Sequence, residues 1–149
     1  MSERSFFSTR LPAACELLAP DGSEIRCLPA TERGSMVHCR LPPGAVSKAV
    51  RHRTVEEIWY VLAGRGELWR SRGQRREITP LEPATAHTIP LGTAFQFRNT
   101  GDQPLDILIV TMPPWPGAEE AVRAADHWPA ADATDPGSPQ PQDRPENRQ

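Results

Sequence analysis

The middle of the chain is a series of short apolar or alternating stretches, each stopped by proline or glycine. Ser35–Leu41 (SMVHCRL) puts Val37, Cys39 and Leu41 on one face and Met36, His38 and Arg40 on the other, until Pro42-Pro43-Gly44 ends it. Residues 57–62 (EIWYVL) are apolar on both faces and rich in aromatic and β-branched side chains, the pattern of a strand covered on two sides. Ala63-Gly64-Arg65-Gly66 turns this strand back into residues 67–70, and Ser71-Arg72-Gly73 turns again into residues 75–79. Thr88-Ile89 enters a tight turn at Pro90-Leu91-Gly92-Thr93, behind which Phe95, Phe97 and Asn99 alternate with Gln96 and Arg98. Antiparallel pairing across that turn would set His87 near Gln96 or Phe97. Leu105–Met112 (LDILIVTM) closes the series. Evenly spaced short strands joined by Gly/Pro turns predict an all-β fold, an antiparallel sandwich or barrel.

The flanks read differently. Residues 17–28 are broken by a turn at Asp21-Gly22. Trp115, set among prolines, is expected to pack back over the sheet as a lid. Residues 118–126, with Glu119 and Glu120 in the first turn, are the one helix expected. Residues 129–149 hold five prolines and no Val, Ile, Leu, Phe or Trp. Such a segment cannot bury enough apolar surface to offset the entropy of ordering it, so a disordered tail is predicted. The expected organisation is an N-terminal arm and strand region (1–33), a barrel core (34–112), a Pro/Trp segment with a short helix (113–128) and the tail.

Composition narrows the class. A chain of 149 residues fits one ordinary domain, and 17 prolines and 10 glycines leave no long helical window through its middle. No run of about 18 apolar residues exists to span a bilayer. The first residues carry charge at Glu3, Arg4 and Arg10 and lack the ordered regions of a signal peptide, so a cytoplasmic, soluble protein is expected. A net charge of -2 argues against a nucleic-acid partner. Three cysteines, Cys15, Cys27 and Cys39, include no C-x-x-C pair and fit a reducing compartment.

Residues 44–64, GAVSKAVRHRTVEEIWYVLAG, resemble the first cupin motif, Gly-x5-His-x-His-x3,4-Glu-x6-Gly. Gly44 matches its opening glycine, His52 its second histidine, Glu57 its glutamate and Gly64 its closing glycine. Pro90, Gly92 and Asn99 match the second motif, Gly-x5-Pro-x-Gly-x2-His-x3-Asn, whose opening glycine falls on Ala84. The resemblance covers residues 34–112 and implies an antiparallel cupin-type β-barrel (jelly roll). It also implies a homodimer, formed through an exposed sheet face or a strand from residues 17–28.

Family metal sites typically use both histidines and the glutamate of the first motif and the histidine of the second. Here Val50 and Phe95 stand at two of those four positions, leaving His52 and Glu57. A catalytic metal usually needs three protein ligands. His87 or His38 could complete a two-histidine, one-carboxylate set, or both could be ordinary strand residues. The cofactor expectation is therefore none, or one divalent metal (Fe, Mn, Ni or Zn).

Glu57, in a barrel lined by Trp59, Phe95 and Phe97, would be desolvated and its pKa raised, making an acid/base pair with His52. The alternative is a structural His–Glu hydrogen bond. Trp59, Phe95 and Phe97 are candidates to shape a substrate, or are barrel core, and Arg40, if it faces inward, could hold an anionic group. Trp69 is a further candidate for an aromatic pocket. These residues fit a small-molecule enzyme of isomerase, lyase or cyclase type. A metal-dependent dioxygenase with a relocated histidine and a non-catalytic ligand-binding barrel are the other two readings.

Overall fold

Over residues 6–132, which the computed structural model describes, the alternating stretches form two antiparallel sheets packed face to face. The strands are β1 (Leu17–Leu18), β2 (Glu24–Ala30), β3 (Ser35–Leu41), β4 (Val50–His52), β5 (Glu56–Ala63) and β6 (Gly66–Arg72). They continue with β7 (Arg75–Leu81), β8 (Ala86–Ile89), β9 (Ala94–Asn99), β10 (Leu105–Met112) and β11 (Ala121–Arg123). One sheet runs β1-β2-β3-β10-β5-β8, the other β11-β4-β9-β6-β7. This is the all-β fold that the pattern predicts and the jelly-roll barrel that the resemblance implies. No helix among the described residues is long and apolar enough to cross a membrane.

Period-two alternation decides what enters the barrel. β5, expected to be covered on both faces, is covered on one: Glu57, Trp59 and Val61 are buried while Glu56, Ile58, Tyr60 and Leu62 are exposed. On β10, Leu105, Ile107, Ile109 and Thr111 are buried; Ile107, Ile109 and Thr111 pair with Val61, Trp59 and Glu57. Trp59 packs edge-on against Phe95 (5.6 Å) and Phe97 (5.0 Å) between the sheets. Each such side chain stabilises the fold by roughly 1.5–3 kcal/mol through burial.

Four other expectations need correction. First, β8 does not form a hairpin with β9. It pairs with β5, setting His87 opposite Trp59, and the turn at residues 90–93 carries the chain from one sheet to the other. A short turn reads alike in both cases, and sheet packing decides between them. Second, the expected helix over 118–126 is a single 3-10 turn, Ala118–Glu120, followed by β11, which pairs with β4. The free edge of β4 gains backbone partners that a helix could not supply, and tertiary context overrides propensity.

Third, the first residues of the expected tail, 129–132, are described and lie against the barrel. Ala131 exchanges two backbone hydrogen bonds with Val46, at 2.8 and 3.0 Å. Residues 133–149, the rest of the expected tail, lie outside the described residues. Fourth, Trp69 lies on the outer face of its sheet and stacks on His127 at 5.2 Å.

The segment after β10 straps the barrel. The buried Gln96 side chain anchors it, accepting from the backbone N–H of His127 and Trp128 and donating to the carbonyls of Trp128 and Ser47, at 2.7–2.8 Å. Residues 17–28 form a hairpin turned at Asp21-Gly22, whose β2 pairs with β3 of the same chain.

Candidate functional site

Between the sheets lies a cavity of about 520 Å³, within the range of small-molecule sites. Its deep wall is His52 on β4, Glu57 and Trp59 on β5, and Phe95 on β9. Ile109 and Thr111 on β10 flank them, and β1, Trp115 and Ala121 form the outer part. The alternation of β4 and β5 is what aims these side chains inward, since His52 lies two residues from Val50, and Glu57 two from Trp59, on the buried faces.

His52 Nδ1 lies 3.9 Å from Glu57 Oε1, and both side chains are buried. That is beyond hydrogen-bond reach. His52 Nδ1 has no hydrogen-bond partner at all, which is costly for a buried polar atom unless something else supplies one. Glu57 Oε1 accepts from the Trp59 indole N–H at 3.1 Å. The histidine ring is wedged edge-on between Phe95 and Trp115, each 5.1 Å away. Trp115 thus takes the lid position expected of it, its backbone N–H donating to Ser35 Oγ at 3.0 Å.

Burial pushes the Glu57 carboxyl up to about 8, with the charge of Asp21 adding to it and the Trp59 hydrogen bond opposing it. Burial also pushes His52 down to about 4, against the raising effect of Glu120. At pH 7 both groups are therefore neutral: a carboxylic acid beside an unprotonated imidazole, not an ion pair. Glu120 itself stays below its ordinary range. Burial would raise it, but hydrogen bonds from Thr54 and the Val55 N–H outweigh that effect.

The other candidates lie elsewhere. His38 and Arg40 are on the outer face of β3, both against Asp106; Arg40 binds it through two nitrogens at 2.6 and 3.1 Å, and His38 Nε2 stands 3.5 Å away. Arg40 therefore does not face the cavity. His87 is buried on the inner face of β8 but bonds Thr85 Oγ1 at 2.8 Å and does not line the cavity. Phe97 supports Trp59 from behind and does not line it either. Ile109 and Thr111 were missed, although the strict alternation of β10 marks them as inward. The contribution of β1 and β2 carries no sequence signal, because only the folded hairpin brings them to the mouth.

A family model for the cupin domain matches residues 37–111. An uncharacterized protein of Methanocaldococcus jannaschii is 33% identical over 103 residues, covering 66% of this chain and 79% of that protein. Among solved structures, an uncharacterized Klebsiella pneumoniae protein with a double-stranded β-helix domain aligns with a TM-score of 0.58 at 18% identity, covering 70% of this chain and 85% of that one. Bacillus halodurans BH2720 gives 0.56 at 24%, covering 61% of this chain and 70% of that one. Bacillus subtilis oxalate decarboxylase gives 0.61 at 15%, covering 76% of this chain but only 29% of that enzyme. A further structure of the same enzyme concerns its Mn(II) centres.

The residues here do not fit such a centre. No group of three His, Cys, Asp or Glu side chains able to hold a metal occurs among the described residues. Val50 and Phe95 fill the two substituted positions with hydrocarbon, and neither His38 nor His87 reaches the cavity.

Proposed function

The chain belongs to the cupin family, and on that premise we propose that it acts on a small organic molecule held in the barrel, by proton transfer at Glu57 and His52. The unpartnered Nδ1 of His52, 3.9 Å from the Glu57 carboxyl at the closed end of an apolar cavity, carries this reading. At that separation the two groups stand side by side, so neighbouring atoms of one substrate can face the acid and the base. With its proton on Nε2, His52 offers the Nδ1 lone pair to a substrate C–H. Glu57, its Oε1 already accepting from Trp59, donates the proton of its other oxygen to the substrate's oxygen. Return of the proton from His52 to a different carbon, and of the oxygen's proton to Glu57, gives an isomer and restores both groups. Loss of a hydroxyl or closure of a ring are variants of the same exchange. Trp115 and Phe95 exclude water from the transfer.

The dioxygenase reading gains nothing from the positions of His38 and His87, and oxalate, the substrate in the name of one neighbour, does not transfer at 15% identity. The test is incorporation of solvent deuterium at carbon, followed by NMR, into small carbonyl and hydroxy compounds. Wild type is expected to exchange, with a rate plateau between pH about 4 and about 8, where His52 is unprotonated and Glu57 protonated. Glu57→Gln is expected to lose about 100-fold or more while still binding the compound. Undiminished exchange in Glu57→Gln would overturn the role of Glu57, and binding without exchange in wild type would leave ligand binding as the function.

A further inference from the structure

The cavity's polar groups are sorted in a way that selects a ligand by charge. No Lys or Arg lines it, while two carboxyl groups, Glu57 and Asp21, do. Asp21 is already engaged, its Oδ1 accepting from the Ser23 N–H at 2.9 Å and hydroxyl at 2.6 Å. Ser35 and Thr111 are engaged with each other. Around Trp59, Phe95 and Trp115 the polar capacity left for a ligand is therefore the Glu57 carboxyl and the bare Nδ1 of His52, in an otherwise hydrocarbon wall.

From this arrangement we infer that the site takes an uncharged, largely apolar molecule with one oxygen function, a ketone or enone, and rejects carboxylates and phosphates of the same size. The inference rests on reading Glu57 and His52 as the reacting pair, and it adds the substrate class. An anion entering here would lose its water, meet no cation and lie beside two carboxyl groups, and an unpaired buried ion is heavily penalised. Burial holds Glu57 protonated and His52 unprotonated at pH 7, so neither could compensate by ion pairing. An ammonium ligand could ionise Glu57 and donate to His52 Nδ1, but it would lose its own water among the rings of Trp59, Phe95 and Trp115. A carbonyl oxygen accepts the Glu57 proton and sets its α-C–H against the Nδ1 lone pair, so one neutral molecule engages both groups.

Calorimetry on the full chain at pH 7 tests this with three bicyclic probes of matched size: 1-tetralone, 1-naphthoate and 1-naphthylmethylammonium. Methyl NMR shifts at Val50 and Ile109 report whether binding is in the cavity. The ketone is expected to bind there, with the naphthoate and the ammonium about tenfold weaker or more. Equal or tighter binding of either ion, binding of the ketone without shifts at Val50 and Ile109, or binding of none of the three would overturn the inference. Ketone binding without deuterium exchange would instead overturn only the proton-transfer reading, so the two failures are distinguishable.

Discussion

Val50 and Phe95, which stand where the family pattern has histidines, are direct cross-strand partners on β4 and β9. Both side chains are buried, at 2% exposure each, and both face the cavity that His52 and Glu57 enter. The two departures are thus one local change: a polar corner of the barrel has become a hydrocarbon one. That change accounts for the environment of the surviving pair, because it removes the groups that would have kept His52 and Glu57 solvated or charged.

Reversing it should restore a metal site. Val50→His with Phe95→His would put three imidazoles and the Glu57 carboxylate on neighbouring strands around one point. The double variant is expected to bind about one equivalent of Mn(II) or Zn(II), as three or four protein ligands suffice. Wild type dialysed against the same metal should retain far less. Plasma mass spectrometry on untagged protein reads both values; full occupancy in wild type would contradict the site described above.

The two shifted pKa values act on stability in opposite directions. Glu57 in the folded protein keeps its proton up to about 8, whereas in the unfolded chain it loses it near 4.5. Its contribution is therefore complete below pH 4.5 and is lost as pH rises toward 8. His52, lowered from 6.5 to about 4, contributes fully above pH 6.5 and loses its contribution as pH falls toward 4. Between 4.5 and 6.5 the two slopes oppose each other, and above 6.5 only the Glu57 slope remains. Wild type should therefore lose stability from pH 6.5 to 8, by up to a few kcal/mol, while Glu57→Gln stays flat over that window. Parallel curves for the two proteins in urea titrations would show that Glu57 is not desolvated.

How much of this was legible depended on whether the information was local. The inward face of Phe95 and Phe97 followed from alternation, whereas residues 57–62, apolar on both faces, did not show which face Trp59 took; the closeness of His52 and Glu57 followed from the resemblance to the cupin motif. The position of His87 was not legible, because a four-residue turn at Pro90 serves a hairpin or a crossing between sheets equally well. The three-residue β4 was too short to show any period, although it carries Val50 and His52. Residues 121–123 read as helix because Ala and Arg favour it; the open edge of β4 made them a strand. The hydrocarbon mouth formed by Leu17 and Leu18 is non-local and left no trace in the chain's own pattern.

Two turn positions of the motifs make opposite predictions. Gly64 has φ +86, and a Cβ there would lie 2.4 Å from the Pro104 carbonyl oxygen and 2.7 Å from Leu105 Cα, both backbone atoms. Gly64→Ala should cost about 2 kcal/mol or more. Ala84, at the second motif's opening glycine, follows Pro83 in a turn closed by the Thr85 N–H to Glu82 carbonyl bond, and it has φ 67. That left-handed backbone costs an alanine roughly 1 kcal/mol, partly offset by the greater freedom of glycine in the unfolded chain. Ala84→Gly should therefore raise the melting temperature by about 1–3 °C. A fall would show that the turn relaxes without strain.

Gln96 ties the strap to the barrel, and its removal should separate fold stability from the cavity. Its amide makes four hydrogen bonds to backbone groups of Ser47, His127 and Trp128 while fully buried. Gln96→Leu keeps the volume but leaves the His127 and Trp128 N–H groups and two carbonyls without partners, at a cost of about 2–4 kcal/mol. The strap also holds through other contacts, the Arg98 guanidinium over the Trp128 ring at 4.4 Å and the Glu120 bonds to Thr54 and Val55. Loosening should therefore concentrate at residues 124–132. Hydrogen exchange is expected to accelerate there in Gln96→Leu, while Ala121–Arg123 and Trp115, held to β4 and Ser35, keep their protection. If exchange instead rose along the whole segment from residue 113, the lid over His52 would depend on Gln96, and ligand affinity should fall with it.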